Sequence, residues 1–551
     1  MCGIYFCLKN TQSVEQTHKH QCLQNRGPDA VSILEKDDYY AAFYRLAIVG
    51  VLDGMQPFVK DGVILLCNGE IYNHEKLERR YSLKNRSHSD CEVILHLYNK
   101  IGLEATVQAI EGEFAFVLYD SNTKLLHFAR DRLGRKPLFY SINQNMIEVC
   151  SLFSGLSSVG DSTVDKILGD TETKVVDHTT ATQVVPGIIY TWNKTVKCLT
   201  EQRYHLFAYN PNGDVDNKGI HMEFINAVVK RVSQSERPVG FLLSGGFDSS
   251  LVLSVALKYC KFAQPPHVFT IGFDPMAPDV LSAELMVNWL KKMYGENCIQ
   301  WHKVILPISD GLDALPKVIK ALETYDTTTI RASTPMYLIS KYIAEKTDVK
   351  VVLSGEGSDE LFGGYLYFKY APDNFAFRAE ICKLLNELYL YDVLRADRTT
   401  AEHGLEVRPP FLDDQFVSLV LQSFNLRLGS ATTKEFIRNI INEYDSALLP
   451  PEILWGKKEA FSDAVGLNWK EEIVKFADKW VEKADAVEEI GVDETTSPHI
   501  KPITNEMKYF QYLFKKEFGS VAWHLLPKLW LPNQTWIKTG VEPSARVLGV
   551  Y

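Results

Sequence analysis

The sequence predicts an α/β protein of two domains, and three observations carry that reading. The first ~200 residues consist of short apolar runs separated by turn-sized polar segments, the pattern of antiparallel strands. After about Gly219, strand-like runs alternate with helical stretches, as in a parallel sheet flanked by helices. Beyond Leu361 the pattern is mostly helical. The 551 residues allow two large domains, or three to four of about 150 residues each. We place the boundary near residue 200, giving domains 1–200 and 201–551. The weakly patterned stretches Ser157–Val185 and Tyr209–Asn217 mark candidate junctions.

In order along the N-terminal part, Val63–Cys67 is a short apolar strand. Cys91–Lys100 has helical spacing and stops at Gly102. Phe114–Asp120, Lys124–Asp131 and Lys136–Ile142 are three strands joined by the turn-sized segments SNT and RLGR, which predicts an antiparallel meander. In the C-terminal part, VGFLLSGG is a buried strand entering a glycine turn, followed by a helix over SSLVLSVALKYC. His267–Phe273 and Cys298–Leu306 are further strands. Val349–Glu360 repeats the order strand, glycine turn, helix. Asp478–Pro498 is polar and acidic and reads as an exposed connector.

Composition narrows the function. The apolar fraction is 46% and the charged fraction 23%, which suits chains that bury large cores. The net charge of −10 argues against non-specific nucleic-acid binding. No apolar run reaches the ~18 residues needed to span a bilayer, and MCGIYFCLKN lacks the basic start and long apolar stretch of a secretory signal. The ten cysteines are scattered, with neither a CxxC pair nor zinc-ligand spacing. A soluble, cytoplasmic protein without a disulfide framework is the expectation.

One cysteine stands apart by position. Removal of Met1 would leave Cys2 with both a thiol and a free α-amino group. That amine has a pKa of about 7.7–8.0, so it can take the proton of its own thiol and make one residue both nucleophile and base. Alone, a cysteine here is more often an accident of a chain end. It is followed, however, by NRGPDA (Asn25–Ala30), YRLAIVG (Tyr44–Gly50), GMQP (Gly54–Pro57), NGEIYN (Asn68–Asn73) and SHSDCEVILHLY. In this order the motifs resemble the glutaminase domain of class II glutamine amidotransferases. The resemblance implies an αββα sandwich of the N-terminal-nucleophile (Ntn) hydrolase type.

The resemblance also implies roles. Arg45 would hold the glutamine α-carboxylate through its planar fork. Asp90 would hold the α-ammonium, although a helix N-cap is the plain alternative. Asn68 and the Gly69 N–H would form the oxyanion hole. Glu70 and the backbone of Leu46, Ala47, Ile48 and Val49 would complete the glutamine pocket. The family pattern departs at Gly50, where Asp is usual, and at Ser151-Leu152, where Ser-Glu is usual.

LLSGGFDSS (Leu242–Ser250) is a phosphate-cradling loop. Its paired glycines admit an anion to the backbone, and the following helix adds N–H groups and partial positive charge. It has no Walker A lysine and resembles the loop of ATP pyrophosphatases. SGEGSDELFGGY (Ser354–Tyr365) adds three acids suited to Mg²⁺ and proton transfer. With Glu323–Ile343, Leu390–Asp413 and WGKKEAFSD (Trp455–Asp463), these motifs resemble the synthetase half of glutamine-hydrolysing asparagine synthetases.

That likeness implies ATP-dependent amidation of aspartate through β-aspartyl-AMP, with ammonia supplied by glutamine through a protein-lined tunnel. ATP would meet Leu243, Ser244, Gly245, Gly246, Asp248, Ser249, Ile271, Gly272, Ser354 and Gly355. Mg²⁺ would lie at Asp248 and Asp359, Lys458 would neutralise phosphate charge, and Glu356 would support adenylation and accept a proton from ammonia. Arg331 and Arg408 are clamps for carboxylate or phosphate, or else structural ion pairs. Gly456-Lys457 stands where Arg is common, and Ala464 where Gly is. A homodimer is implied, and glutamine, aspartate and ATP are the expected small-molecule partners. Two alternatives stay open: a related synthetase acting on another carboxylate, and a weakly active regulatory relative.

Overall fold

The computed structural model describes residues 1–9, 18–157, 181–209, 216–423, 426, 433–456, 466, 468–483 and 500–537. The chain divides into two compact units. The first comprises residues 1–206 with Ala401–Leu405 and Phe518–Leu525. The second comprises 207–400, 406–517 and 526–551.

The first unit is a sandwich of two six-stranded antiparallel sheets. One sheet has the order β10-β8-β9-β1-β3-β2 and the other β12-β11-β7-β6-β5-β4. The strands are β1 (Gly3–Lys9), β2 (Ala30–Glu35), β3 (Tyr39–Arg45), β4 (Phe58–Lys60), β5 (Val63–Ile71), β6 (Gly112–Asp120), β7 (Leu125–Arg130), β8 (Phe139–Ile142), β9 (Met146–Cys150), β10 (Thr182–Gln183), β11 (Ile188–Asn193) and β12 (Cys198–Arg203). Period-two alternation sorts their side chains between two cores. Ile64 and Leu66 of β5 meet Ile4, Phe6 and Phe43 between the sheets. Leu65 and Cys67 point the other way. There they pack beneath α1 (His74–Tyr81), α2 (Glu92–Ile101) and α3 (Leu103–Ala109). A strand covered on both faces is apolar throughout, as VILLC is. On the outer face of the first sheet, the 3-10 segment His18–Asn25 stacks His20 on Tyr5 and sets Leu23 against Gly3.

The expected meander holds only in part. β6 and β7 pair antiparallel, but β8 pairs with β9 and β10 in the opposite sheet. The RLGR segment is not a hairpin. Arg130 donates to the carbonyls of Gly134 (2.5 Å), Lys136 (2.6 Å) and Val184 (3.0 Å), and Asp131 binds Arg135. These buried bonds satisfy the backbone of a crossing between sheets.

The second unit holds a parallel sheet of order β15-β14-β13-β16-β17: β13 (Val239–Leu242), β14 (His267–Gly272), β15 (Gln300–Ile305), β16 (Val351–Leu353) and β17 (Glu406–Arg408). Its helices are α4 (Asn217–Ser233), α5 (Phe247–Tyr259), α6 (Pro278–Tyr294), α7 (Ile308–Leu322), α8 (Thr327–Lys346), α9 (Ser358–Phe362), α10 (Asn374–Glu387), α11 (Asp392–Ala401), α12 (Asp414–Gln422), α13 (Glu435–Asp445), α14 (Pro451–Leu454), α15 (Trp469–Lys483) and α16 (Asn505–Phe518). The acidic connector expected over Asp478–Pro498 begins inside α15, and its remainder lies outside the described residues. β13 is paired with β14 on one side and β16 on the other. The chain therefore reverses direction of travel across the sheet at β13, and the loops after β13 and β16 lie side by side at this switch point.

Candidate active site

In the first unit, Cys2 lies at the start of β1 and is half-buried. Its backbone N–H donates to Asn68 Oδ1 at 2.9 Å, its Sγ lies 3.7 Å from the Leu46 carbonyl, and its carbonyl accepts from Arg26 Nε at 3.1 Å. Ile4, two residues on, is tied to Ser151 Oγ (3.0 Å) and to the Ser151 N–H (2.9 Å). With its oxygen committed to Cys2, Asn68 turns its Nδ2 into the interior, where that amide has no partner among the described residues. A buried unpaired donor is costly, which points to an acceptor that arrives with substrate.

Gln56 explains the GMQP motif. Its side chain accepts from the Cys67 N–H (2.7 Å) and donates to the Cys67 carbonyl (3.0 Å), holding β5 immediately before Asn68. Gly69 has φ 153°, and a Cβ there would meet the Glu113 carbonyl at 2.0 Å. Only glycine fits. Glu70 and Asp90 are buried, and Asp90 Oδ2 accepts from the Ile71 N–H at 2.5 Å.

Arg45 donates to the carbonyls of Val49 (3.5 Å), Gly50 (2.5 Å) and Val51 (3.2 Å), so the loop curls around its guanidinium. Ala47 N–H donates to Asp29 at 2.8 Å. Gly50 has φ 58° and touches the Ser89 backbone; a Cβ would lie 2.8 Å from Ser89 N. The departure from Asp at this position belongs to that close approach. The facing loop 86–90 hangs on Glu92, which accepts from Arg86 N–H (2.9 Å), Ser87 N–H (2.8 Å) and Ser87 Oγ (2.6 Å). Burial would raise the Glu92 pKa, but these hydrogen bonds outweigh it and hold the carboxyl below its usual range. His96 contacts Glu92 at 3.2 Å and Lys60 at 3.0 Å, so its Nε2 is the donor to the carboxylate.

In the second unit, Gly245 (φ 78°) presses on α6, where a Cβ would lie 2.1 Å from Ala283 N, whereas Gly246 faces open space apart from Ser244 Oγ. Ser244 and Ser249 hydroxyls lie 3.1 Å apart at the start of α5. Leu243 N–H bonds the Phe269 carbonyl, and Ile271 and Gly272 end the neighbouring β14. A Cβ on Gly355 would stand 2.8 Å from Asp248 Cβ, so the two glycine loops touch. Ser354 N–H donates to the Arg408 carbonyl, and Ser358 Oγ donates to Asp248 at 2.6 Å.

Two members of this site escape sequence reasoning. Lys434, in left-handed conformation with φ 58°, buries its ammonium between Asp248 (2.5 and 2.6 Å) and Asp359 (2.7 Å). Gly364 makes room for it, since a Cβ there would lie 2.0 Å from Asp359 Oδ1. Arg395 binds Glu356 at 2.6 Å and Asp392 at 2.9 Å. Burial pushes the Glu356 pKa up while Arg395 opposes it, and burial leaves the net shift upward. Glu360 is raised further by burial and by Asp392. Lys457, Lys458 and Ala464 lie outside the described residues.

A model of the glutamine amidotransferase domain matches residues 1–206, and a model of asparagine synthase matches 220–379 and 371–500. Curated asparagine synthetases [glutamine-hydrolyzing] from Cricetulus griseus and Mus musculus are each 38% identical to this chain, and that from Homo sapiens is 37% identical. Each alignment covers 100% of this chain and 99% of the relative. The chain belongs to the glutamine-hydrolysing asparagine synthetase family.

Within that family frame, two expected clamps are committed elsewhere. Arg331 gives Nε (2.8 Å) and Nη2 to the two oxygens of Glu506. Arg408 is bound to Glu406 (2.7 Å) and to the carbonyls of Arg231 (2.9 Å) and Gln234 (2.8 Å). Both are structural ion pairs. Gly456 also has a local reason, because a Cβ there would meet the Glu452 carbonyl at 2.6 Å. The change at Leu152 has no structural explanation. All ten cysteines are free thiols, and no described helix is long and apolar enough to cross a membrane.

Proposed function

We propose that the chain makes asparagine from aspartate, ATP and glutamine, with glutamine hydrolysis in residues 1–200 and aspartate adenylation in 201–551. The observation that carries the reading is the Cys2–Asn68 pair, whose amide Nδ2 is buried and unpartnered beside Gly69. The Cys2 thiolate attacks the glutamine Cδ, the freed amine of Cys2 takes the thiol proton, and Asn68 Nδ2 and Gly69 N–H receive the oxyanion. The Cys2 amine returns that proton to the leaving nitrogen, ammonia departs, and water releases glutamate from the thioester. Arg45 and Asp90 hold the glutamine α-groups, with Glu70 and the backbone of Leu46–Val49 around the chain.

In the second unit the aspartate β-carboxylate attacks the α-phosphorus of ATP and expels pyrophosphate. Ammonia then attacks the β-carbonyl, Glu356 takes the proton, and AMP leaves. The phosphates are assigned to Ser244, Gly245, Gly246, Asp248 and Ser249, and the nucleoside to Leu243, Ile271, Gly272, Ser354 and Gly355. The carboxylates of Asp248 and Asp359, which already share the Lys434 ammonium, fit a cation. They would hold Mg²⁺, which supplies charge neutralisation at the phosphates when bound. Lys458 is assigned to the same task on family likeness. A cytoplasmic homodimer completes the reading on that likeness alone, and sedimentation tests the dimer.

The deciding experiment measures glutamate, pyrophosphate and asparagine together, with glutamine or ammonium as donor. Cys2→Ala should abolish glutamine-dependent synthesis and spare synthesis from ammonium. Equal loss with both donors would overturn the assignment of two sites.

A further inference from the structure

The buried arginines of the second unit differ in what holds them. Arg231 is bound by Asp413 at 2.7 Å, Arg398 by Glu323 at 2.9 Å, Arg331 by Glu506, and Arg408 by Glu406. Arg438 is spent on the carbonyls of Thr433, Ile453 and Leu454. Arg395 serves both Glu356 and Asp392 through its Nη2, while its Nε–H is shut off from solvent without a partner among the described residues. A guanidinium has five N–H donors in a fixed fork, and this open one lies at the Glu356 end of the site.

The charges around it are unbalanced in a particular sense. Asp392 and Glu356 meet at one guanidinium nitrogen, 2.9 and 2.6 Å away, and Glu360 accepts from the Tyr365 hydroxyl. Arg395 brings one positive charge to Glu356 and Asp392, and Lys434 brings one to Asp248 and Asp359. The cluster therefore favours a further cation, while the open Nε–H favours a further anion. An α-amino acid carries both charges one carbon apart. Asp392 and Arg395 lie three residues apart in the first turn of α11, where the helix N-terminus adds partial positive charge for a carboxylate. Their side chains are 16% and 12% exposed, so the pair is reachable.

We propose that Asp392 and Arg395 are the subsite that reads the α-ammonium and α-carboxylate of the amino-acid substrate, leaving its side-chain carboxylate beside Glu356. The proposal rests on the adenylating function assigned above. It names a receptor pair in the second unit with the same logic as Asp90 and Arg45 in the first.

The test uses the full chain with ATP and follows aspartate-dependent pyrophosphate release. Two competitors probe the two charges: succinate, which lacks the α-ammonium, and aspartate α-amide, which lacks the α-carboxylate. Asp392→Asn and Arg395→Gln should each raise the aspartate KM by on the order of tenfold or more. Asp392→Asn should erase the preference for aspartate over succinate and keep the preference over the α-amide. Arg395→Gln should do the reverse. If a variant releases no pyrophosphate, calorimetric titration with the same three compounds reads the same ratios. An unchanged aspartate affinity, or equal weakening of all three compounds, overturns the subsite. Glutamate formation from glutamine should persist and reports a folded chain. Failure of the unsubstituted protein to release pyrophosphate with aspartate would instead overturn the assigned function.

Discussion

At the scale of single residues, the site is built from donors and acceptors left open on purpose. Asn68 commits its oxygen to Cys2 and keeps its amide N–H in reserve. Asn68→Ala removes both the brace and the oxyanion donor. We expect the glutamine-dependent kcat to fall by about 10²–10³ with ammonium-dependent synthesis intact, as steady-state assays with the two donors would show. Glu356 is desolvated and leans on Arg395. Glu356→Gln keeps its shape and removes the base, so asparagine formation should drop by roughly 10²–10⁴ while glutamate continues to appear. Normal asparagine yield in that variant would reduce Glu356 to a structural partner of Arg395.

At the scale of elements, loop 86–90 carries Asp90 and hangs from one carboxylate on α2. Glu92→Gln replaces a charged acceptor of three hydrogen bonds by a neutral one. The glutamine KM should rise about tenfold, with the ammonium-dependent rate unmoved; an unaltered KM would show that the loop holds without its anchor. Glycine loops after apolar strands, and the helix stopped by Gly102, were legible because each needs only neighbours in sequence. The crossing from β7 to β8 was not, because a four-residue polar segment looks the same whether it turns a hairpin or changes sheets. What decides is Arg130, whose acceptor at Val184 is 54 residues away. Lys434 and Arg395 were hidden for the same reason. A lysine before an amphipathic helix, or an arginine one turn into another, has no local mark of the carboxylates it will meet.

At the scale of the whole molecule, two electrostatic clusters tie distant parts of the second unit. Burial works against the charge of Asp413, but Arg231 and Lys230 outweigh it and lower the pKa to about 2. A depressed carboxyl stabilises fully above its unfolded value of about 3.9 and loses that contribution as pH falls through about 2. The amount is on the order of 2 kcal/mol. Asp413→Asn should therefore flatten the decline of stability between pH 4 and 2, measured by denaturant titration; an unchanged decline would assign it to other carboxylates. Lys434→Gln leaves Asp248 and Asp359 facing each other without a cation, a loss on the order of 3–5 kcal/mol for a buried pair. The thermal midpoint should fall, and added Mg²⁺ should restore more of it than it adds to the unsubstituted protein. Equal Mg²⁺ effects on both would count against Asp248 and Asp359 as the metal ligands.

The strand that begins with the nucleophile also sets a clock. β1 lies between β3 and β9, with Tyr5 opposite Cys150, and Ile4 is pinned to Ser151. Met1 is buried once that slot is filled. On the ribosome the slot stays open until about 150 residues have been made, roughly 8–30 s at ordinary elongation speeds. Excision of Met1, which the proposed chemistry of Cys2 requires, has that interval in which to act. A chain that closes its sandwich with Met1 still attached would be folded, able to use ammonium, and deaf to glutamine for the rest of its life.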